Sequence, residues 1–309
     1  MTLIIKKLKL SSFILTIFLT SCADNTMKIK SSETNNKTEW ELAFKISNLP
    51  QPESVAYDKS RNVLFVSNQN HEKEGFISLL NIDGAIIKKK WLEGLVNPKG
   101  IKVVGDKLYV SDETVLIEID INKAKIIKQY KGKESKLLND VEVDINGNVY
   151  VSDMLTSSIY KLDTNGNFTN WLQTTNLQFP NGLLIKNNAL YIAAWGTITN
   201  GKILEATRGN LLKISLNDKK ITKVSNKAIG NLDGLQHYNN GFLLSDWLNG
   251  NIYTFLNGKS HKIIKTTQGS GDITYLDHLH RIYIPMALEN EVLVYQKKIK
   301  NNYNKYNSS

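Results

Sequence analysis

The stretch Leu108-Tyr-Val-Ser-Asp112 decides the fold, because close variants of it return at regular intervals along the 309-residue chain. From the first residue of one copy to the first residue of the next, the steps are 44, 41, 41, 52 and 40 residues. A repeat period near forty residues is typical of propellers and solenoids. The six copies are Leu64-Phe-Val-Ser-Asn68, Leu108-Tyr-Val-Ser-Asp112, Val149-Tyr-Val-Ser-Asp153, Leu190-Tyr-Ile-Ala-Ala194, Phe242-Leu-Leu-Ser-Asp246 and Ile282-Tyr-Ile-Pro-Met286.

Each copy is surrounded by further short strand patterns. A shorter strand and a turn precede it, as at Asp144-Ile-Asn-Gly-Asn148, where Asn-Gly favours a hairpin. An alternating strand follows, and then a more polar one such as Ile126–Tyr130 or Phe168–Leu172. Four antiparallel strands per repeat, six times, predict an all-β protein with a six-bladed β-propeller. A β-solenoid is the alternative, although its coils are usually much shorter.

The ends of the repeat region predict how the ring closes. The sixth repeat runs out of sequence after its third strand, at Tyr295, whereas Trp40–Ile46 is an alternating strand without a repeat of its own. We expect residues 40–46 to supply the outer strand of the last blade and to hide its edge. The propeller would then span residues 40–297, followed by a basic polar tail at 298–309. An insertion at about 196–210 lengthens the interval between the fourth and fifth copies of the motif. It is either a binding loop or a surface loop without a function of its own.

The first residues of the chain resemble an export signal. Lys6, Lys7 and Lys9 precede the short apolar run Phe13–Leu19, and Leu19-Thr-Ser-Cys22 resembles the bacterial lipobox. We therefore expect a signal peptide at 1–21, acylation of Cys22, and a flexible tether at 22–39. This arrangement predicts attachment to a lipid bilayer of the bacterial cell envelope, with the outer membrane favoured. The alternative is an ordinary signal peptide with an incidental cysteine, the only one in the chain.

The formal charge of +10 does not indicate nucleic-acid binding. The positive charge is almost entirely lysine scattered through strands and turns, and Arg61, Arg208 and Arg281 are the only arginines. Because arginine is the better reader of bases and phosphates, we expect no nucleic-acid partner. Apolar residues make up 41% of the chain, enough for a sizeable core.

Polar residues recur where each repeat begins its first strand, which in a propeller lines the central channel. Glu53, Lys99, Asn139, Asn181 and Asp233 share one register, and Asp140 and Asp272 fall one position later in theirs. Converging carboxylates repel one another and are costly to desolvate, and a bound divalent cation resolves both problems. Oxygen ligands without Cys or His suit a hard ion such as Ca²⁺, Mg²⁺ or Mn²⁺. The alternative is that Asn, Asp and Gly simply form the tight turns before each strand.

At these positions the chain resembles the regucalcin/gluconolactonase family of six-bladed propellers over roughly residues 45–296. The likeness rests on the Pro-Glu at Glu53, the Asn-Asp at Asn139, the Pro-Asn-Gly at Asn181 and the Asp-Gly at Asp233. It implies that Glu53, Asn181 and Asp233 bind the metal and that Asp233 is the general base. It also implies that Asn139 contacts the substrate, or the metal through water, and Lys99 is a further candidate for substrate binding.

The resemblance implies a metal-dependent hydrolase of lactones or similar small esters. Ca²⁺ is the expected cofactor, with Mg²⁺, Mn²⁺ or Zn²⁺ as alternatives, and the partner is a small-molecule substrate such as a lactone. The competing hypothesis is a non-catalytic, lipid-tethered propeller that binds a small ligand or a protein, with a structural metal ion.

Overall fold

A computed structural model describes residues 39–70 and 73–298. Within these ranges the chain forms β-strands joined by turns, together with three one-turn 3-10 helices at Thr175–Leu177, Ile203–Glu205 and Asp277–Leu279. The described residues include no helix that is long and apolar enough to cross a bilayer. The predicted signal peptide, Cys22, most of the tether and all but the first residue of the tail lie outside the described residues.

The strands of the described chain form six antiparallel sheets of four strands each, which are the six blades. Blades 1 to 5 each use four consecutive strands, whereas blade 6 combines the last three strands with the first. The strands are β1 (Trp40–Ser47); β2 (Pro52–Asp58), β3 (Val63–Asn68), β4 (Gly75–Asn81) and β5 (Ile86–Leu95) in blade 1; β6 (Pro98–Val104), β7 (Lys107–Asp112), β8 (Val115–Asp120) and β9 (Lys125–Lys131) in blade 2; β10 (Leu138–Val143), β11 (Val149–Asp153), β12 (Ser158–Leu162) and β13 (Phe168–Gln173) in blade 3; β14 (Pro180–Lys186), β15 (Ala189–Ala194), β16 (Leu211–Ser215) and β17 (Ile221–Lys223) in blade 4; β18 (Leu232–Tyr238), β19 (Gly241–Asp246), β20 (Asn251–Leu256) and β21 (Lys259–Lys265) in blade 5; and β22 (Thr274–Leu276), β23 (Arg281–Met286) and β24 (Glu291–Lys297) in blade 6.

The predicted closure of the ring is confirmed. Strand β1 pairs antiparallel with β24, in a register that sets Trp40 opposite Lys297 and Ile46 opposite Val292. The order β22-β23-β24-β1 makes β1 the outer strand of blade 6. The N-terminal strand thus covers an edge that would otherwise present unpaired backbone groups.

The recurring apolar stretch is the second strand of each blade, and its neighbouring side chains point to opposite faces of the sheet. In blade 1, Leu64 packs into the cluster shared with blade 6, whereas Phe65 packs into the cluster shared with blade 2. Six such hydrophobic clusters occur in the described chain, one between each pair of adjacent blades. Because both faces are buried, this strand is a continuous apolar run instead of an apolar–polar alternation.

Candidate metal centre

The candidate site residues lie on β-bulges in the first strands of the blades. In blade 1, Pro52 pairs with Asn68 and the next paired residue is Val55, opposite Val66, so Glu53 and Ser54 fall within the bulge. The same shift occurs in blades 2 to 5, between Pro98 and Ile101, Leu138 and Val141, Pro180 and Leu183, and Leu232 and Leu235. The candidate residues therefore lie inside strands and not in tight turns before them. Bulges of this kind re-aim side chains, which here meet across the channel.

Close backbone approach between neighbouring first strands tightens this ring. A Cβ atom on Gly182 would lie 2.1 Å from the carbonyl oxygen of Asp233, and one on Gly271 would lie 2.3 Å from that of Glu53. Between blades 6 and 1 the approach becomes a short parallel pairing, in which Asp272 N–H donates to the carbonyl of Glu53 over 2.8 Å. Glycine is required at these positions because no side chain fits.

Serine hydroxyls from the second strands connect one blade to the next behind the ring. Ser152 Oγ accepts the N–H of Asp140 over 2.9 Å and donates to the carbonyl of Asn181 over 2.8 Å. One hydroxyl thus holds the bulge of blade 3 and that of blade 4 in place. Ser245 bridges in the same way, accepting from Gly234 N–H and donating to the carbonyl of Gly271, and Ser111 donates to the carbonyl of Asn139 in the next blade. The equivalent Ser67 accepts from Ser54 N–H within its own blade.

Glu53, Asn181, Asp233 and Lys99 come together in an upper layer of the channel. Asn181 Nδ2 donates to Asp233 Oδ2 over 3.1 Å, and Lys99 Nζ lies 4.0 Å from Glu53 Oε1. The other carboxylate oxygens, Glu53 Oε2 and Asp233 Oδ1, are buried without any hydrogen-bond partner. Asn139 is buried at the same register. The expected convergence of these side chains is thus seen, although which of them bind metal or substrate stays a prediction.

Burial dominates the electrostatics of the upper layer. It raises the pKa of Asp233 to about 7, against the opposing effects of the Lys99 charge and the Asn181 hydrogen bond. Burial also holds the pKa of Glu53 well above its usual value; Lys99 opposes this shift, while Asp233 and Asp140 add to it. Without a further cation, these carboxyl groups favour their protonated forms.

A lower layer of the channel contains Asp140 and Asp272. Asp140 accepts the N–H of Val141 over 2.7 Å and that of Leu183 over 2.5 Å, so both of its oxygens are occupied. Asp272 Oδ2 accepts the hydroxyl of Ser54 over 2.8 Å. Burial raises the pKa of both carboxyl groups well above the usual value, and for Asp140 the charge of Asp272 is the next largest cause.

The donor set of the upper layer fits a hard cation only if amide oxygens take part. Among the described residues, no group of three or more His, Cys, Asp or Glu side chains is arranged to hold a metal ion. The upper layer instead offers two carboxylates with unpartnered oxygens and the amide of Asn181. Carboxylate and amide oxygens, completed by water, suit Ca²⁺ and related hard ions. The residues present therefore fit such a cation.

The insertion in blade 4 is held against the end of its second strand. Asn231 Nδ2 donates to the carbonyls of Trp195 and Thr207, each over 2.9 Å, and Trp195 Nε1 donates to the carbonyl of Ile203 over 3.3 Å. The Trp195 ring is buried, with its centroid 5.9 Å from that of Trp247. These contacts assign Trp195 to packing beneath the loop.

Sequence reasoning missed the bulges and the bridging serines. The signal for the serines was present, because Ser recurs at the fourth position of the second-strand motif in four of its six copies. Their role needs the distance to the adjacent blade, which the motif does not contain.

Comparison with known proteins supports the fold. No protein-family model matches the chain, and no curated protein is significantly similar to it in sequence. Similar solved structures include a gluconolactonase from Xanthomonas campestris described as important in glucose secondary metabolic pathways, with a TM-score of 0.63 and 15% identity over 84% of this chain and 89% of that one. A streptogramin B lyase aligns with a TM-score of 0.58 and 12% identity over 84% of this chain and 98% of the other. Virginiamycin B lyase from Staphylococcus aureus aligns with a TM-score of 0.58 and 12% identity, over 83% and 99% of the two chains. At such identities the likeness shows that the chain shares their propeller fold.

Proposed function

We propose that the chain is a metal-dependent hydrolase of lactones or similar small esters, with Glu53, Asn181 and Asp233 as its metal ligands. The observation that carries the proposal is the pair of unpartnered, buried oxygens, Glu53 Oε2 and Asp233 Oδ1, in one layer of the channel. Buried carboxylate oxygens without partners are costly, and a cation bound between them removes that cost. The similar gluconolactonase structure agrees with this chemistry.

The chain's own residues can be assigned to each part of such a hydrolysis. A bound divalent cation polarises a carbonyl oxygen and makes water more acidic. The Asp233 carboxylate takes a proton from the attacking water while the water oxygen bonds to the carbonyl carbon. The bond from that carbon to the ring oxygen then breaks, and Asp233 returns the proton to the leaving oxygen, which yields a hydroxy acid. Burial raises the pKa of Asp233 to about 7 in the metal-free chain, and a bound cation would lower it and keep Asp233 ionised, the form that accepts a proton.

Substrate binding falls to Asn139 and Lys99 in this scheme. Asn139 is buried at the register of the proposed ligands, and its amide offers both a donor and an acceptor. Lys99 Nζ is 4.0 Å from Glu53 Oε1, with 12% of its side chain exposed. This placement allows the ammonium group to face a negatively charged or polarised oxygen of a bound substrate.

The position of Lys99 also favours a second candidate, a non-catalytic propeller that binds a small ligand or a protein around a structural ion. An ammonium group beside Glu53 already neutralises part of the carboxylate charge and competes with a divalent ion. In that case metal would stabilise the fold without any turnover.

A panel of lactones tests the proposal directly. Full-length protein is assayed with added Ca²⁺, Mg²⁺, Mn²⁺ or Zn²⁺, beside Asp233→Asn and the control Asp218→Asn, which removes an exposed carboxylate. We expect turnover that a chelator abolishes, a loss of about 100-fold or more in Asp233→Asn, and no change in the control. Metal-dependent melting without turnover would establish the second candidate. Equal rates in both variants would refute the assignment of Asp233.

Lipid attachment at Cys22 is a separate part of the proposal. The lipobox-like Leu19-Thr-Ser-Cys22 supports acylation of the cysteine and retention in the bacterial envelope, most favourably at the outer membrane. Labelling cells with an alkyne fatty acid should mark the protein, and Cys22→Ser should remove the label. A label that survives in Cys22→Ser would contradict the anchor.

A further inference from the structure

The channel contains a cavity that begins below the Glu53–Asp233 layer and continues along the first strands. It has a volume of about 280 Å³ and is lined by residues that follow the bulges along the chain. Its polar and charged lining includes Lys102, Asp140, Glu142, Gln236, Asp272 and Thr274. The proposed hydrolase does not use this cavity.

Several charged side chains around the cavity already have hydrogen-bond partners within the chain. Lys102 Nζ lies 2.8 Å from Glu142 Oε1 and 2.9 Å from Glu142 Oε2, so these two residues neutralise each other. Both oxygens of Asp140 accept backbone N–H groups. Each of these groups therefore has a partner within the protein.

Asp272 is different. One of its oxygens accepts the Ser54 hydroxyl, but Oδ1 is buried without a hydrogen-bond partner. The residue is only 7% exposed and lines the cavity. An unsatisfied buried carboxylate oxygen is costly, and a cationic partner from outside the chain would remove that cost.

We propose that this cavity binds a compact monovalent cation, an alkali metal ion or a primary ammonium group, with Asp272 Oδ1 as its main ligand. Among the carboxylates that line this cavity, Asp272 has the oxygen without a partner in the described chain, and a singly charged guest would supply that partner. The nearby Lys102 ammonium disfavours a doubly charged guest. The volume accommodates a partly hydrated ion or an ammonium group on a short alkyl chain.

Thermal stability of the full-length protein in different chloride salts tests this site. Melting is followed in KCl, NaCl and methylammonium chloride against N-methylglucamine chloride, whose cation is too bulky for the cavity, at equal ionic strength and with a chelator present. A cation that binds the folded chain raises the melting temperature by linkage. Stabilisation by K⁺ or Na⁺ alone identifies an alkali ion as the guest, and stabilisation by methylammonium alone identifies an ammonium group.

Variants separate this site from the proposed metal centre. Asp272→Asn keeps the size and an acceptor for Ser54, and it should raise the apparent Kd of the cation about tenfold or more, as expected for loss of a charge-assisted hydrogen bond. Glu53→Gln removes a charge close to Asp272, whose N–H donates to the Glu53 carbonyl, so it should change the stabilisation less than Asp272→Asn does. The surface control Asp218→Asn should leave the stabilisation intact. Lys102→Met should tighten binding, because it frees Glu142 to face the cavity.

Failure of this inference is distinguishable from failure of the proposed hydrolase. Equal salt-dependent stabilisation in wild type and Asp272→Asn would overturn it, and so would the absence of stabilisation by any of the three cations in the wild type. A larger loss of stabilisation in Glu53→Gln than in Asp272→Asn, or weaker binding in Lys102→Met, would also contradict it. None of these outcomes depends on lactone turnover.

Discussion

Removing the hydroxyl of Ser152 should destabilise the propeller and disturb the candidate site together. The hydroxyl accepts from Asp140 N–H over 2.9 Å and donates to the carbonyl of Asn181 over 2.8 Å, and all three residues are buried. Ser152→Ala leaves one backbone donor and one acceptor unsatisfied inside the ring. At about 1 to 3 kcal/mol for each buried unsatisfied group, partly offset by relaxation, we expect a loss of about 2 to 4 kcal/mol in the free energy of unfolding.

Urea denaturation of full-length wild type, Ser152→Ala and Ser260→Ala measures this effect. Ser260 is exposed on the outer strand of blade 5, so its substitution should change stability by less than about 0.5 kcal/mol. We also expect Ser152→Ala to weaken divalent-metal binding, because Asn181 loses its anchor to blade 3. A stability loss no larger than that of Ser260→Ala would refute the idea that bridging serines hold the bulges in place.

Three further predictions follow from the ring and its closure. Gly182→Ala should prevent native folding or sharply lower the yield of folded protein, as judged by circular dichroism, because its Cβ would lie 2.1 Å from the carbonyl oxygen of Asp233. A variant with native stability would contradict this close approach of the two backbones. Trp40→Ala should lower the free energy of unfolding, measured by urea denaturation, by about 3 to 5 kcal/mol, because the centroid of its ring lies 6.3 Å from those of both Tyr238 and Tyr275. A loss under about 1 kcal/mol would argue against closure by β1. In metal-free protein, the melting temperature should fall as pH rises from about 4 to about 7, because the pKa of Asp233 is about 7 in the folded chain against a usual 3.8. Over that range the folded state holds a proton that the unfolded state has released. The fall should be shallower in Asp233→Asn, and an identical pH dependence in both proteins would contradict the assigned shift.

The fold was predictable from the sequence because its signal is local and repeated. The motif Leu108–Asp112 and its copies mark the second strand of every blade, and the turn and strand patterns around them fix the order of the other strands. The predicted polar strands at 126–130 and 168–172 lie within β9 and β13. Closure by residues 40–46 was predictable for a different reason, since one strand was missing at one end of the chain and one was in excess at the other.

The candidate site was only partly predictable. Repeat alignment placed Glu53, Asn181 and Asp233 in one layer, because equivalent residues of a ring share one height along its axis. It could not show that the Asn181 side chain donates a hydrogen bond to Asp233 or that Lys99 lies beside Glu53. Such contacts depend on the rotamers of side chains that belong to different blades.

The channel cavity lined by Lys102, Glu142 and Asp272 could not be found by the same reasoning. Lys102 and Glu142 are three residues beyond Lys99 and Asn139 in their repeats, but no motif marks them as a pair. The ion pair between them, and the unpartnered oxygen of Asp272, appear only when the first strands are placed around a common axis.

Divalent-metal binding by the full-length protein tests the central claim most directly. Mn²⁺ titration followed by electron paramagnetic resonance should reveal a bound ion in the wild type, with binding that Ca²⁺ competes away. Glu53→Gln and Asp233→Asn should each abolish that binding, whereas Asp272→Asn and Asp218→Asn should retain it. A wild-type chain that binds no divalent ion, or one whose binding survives both Glu53→Gln and Asp233→Asn, would contradict a metal centre in the upper layer of the channel.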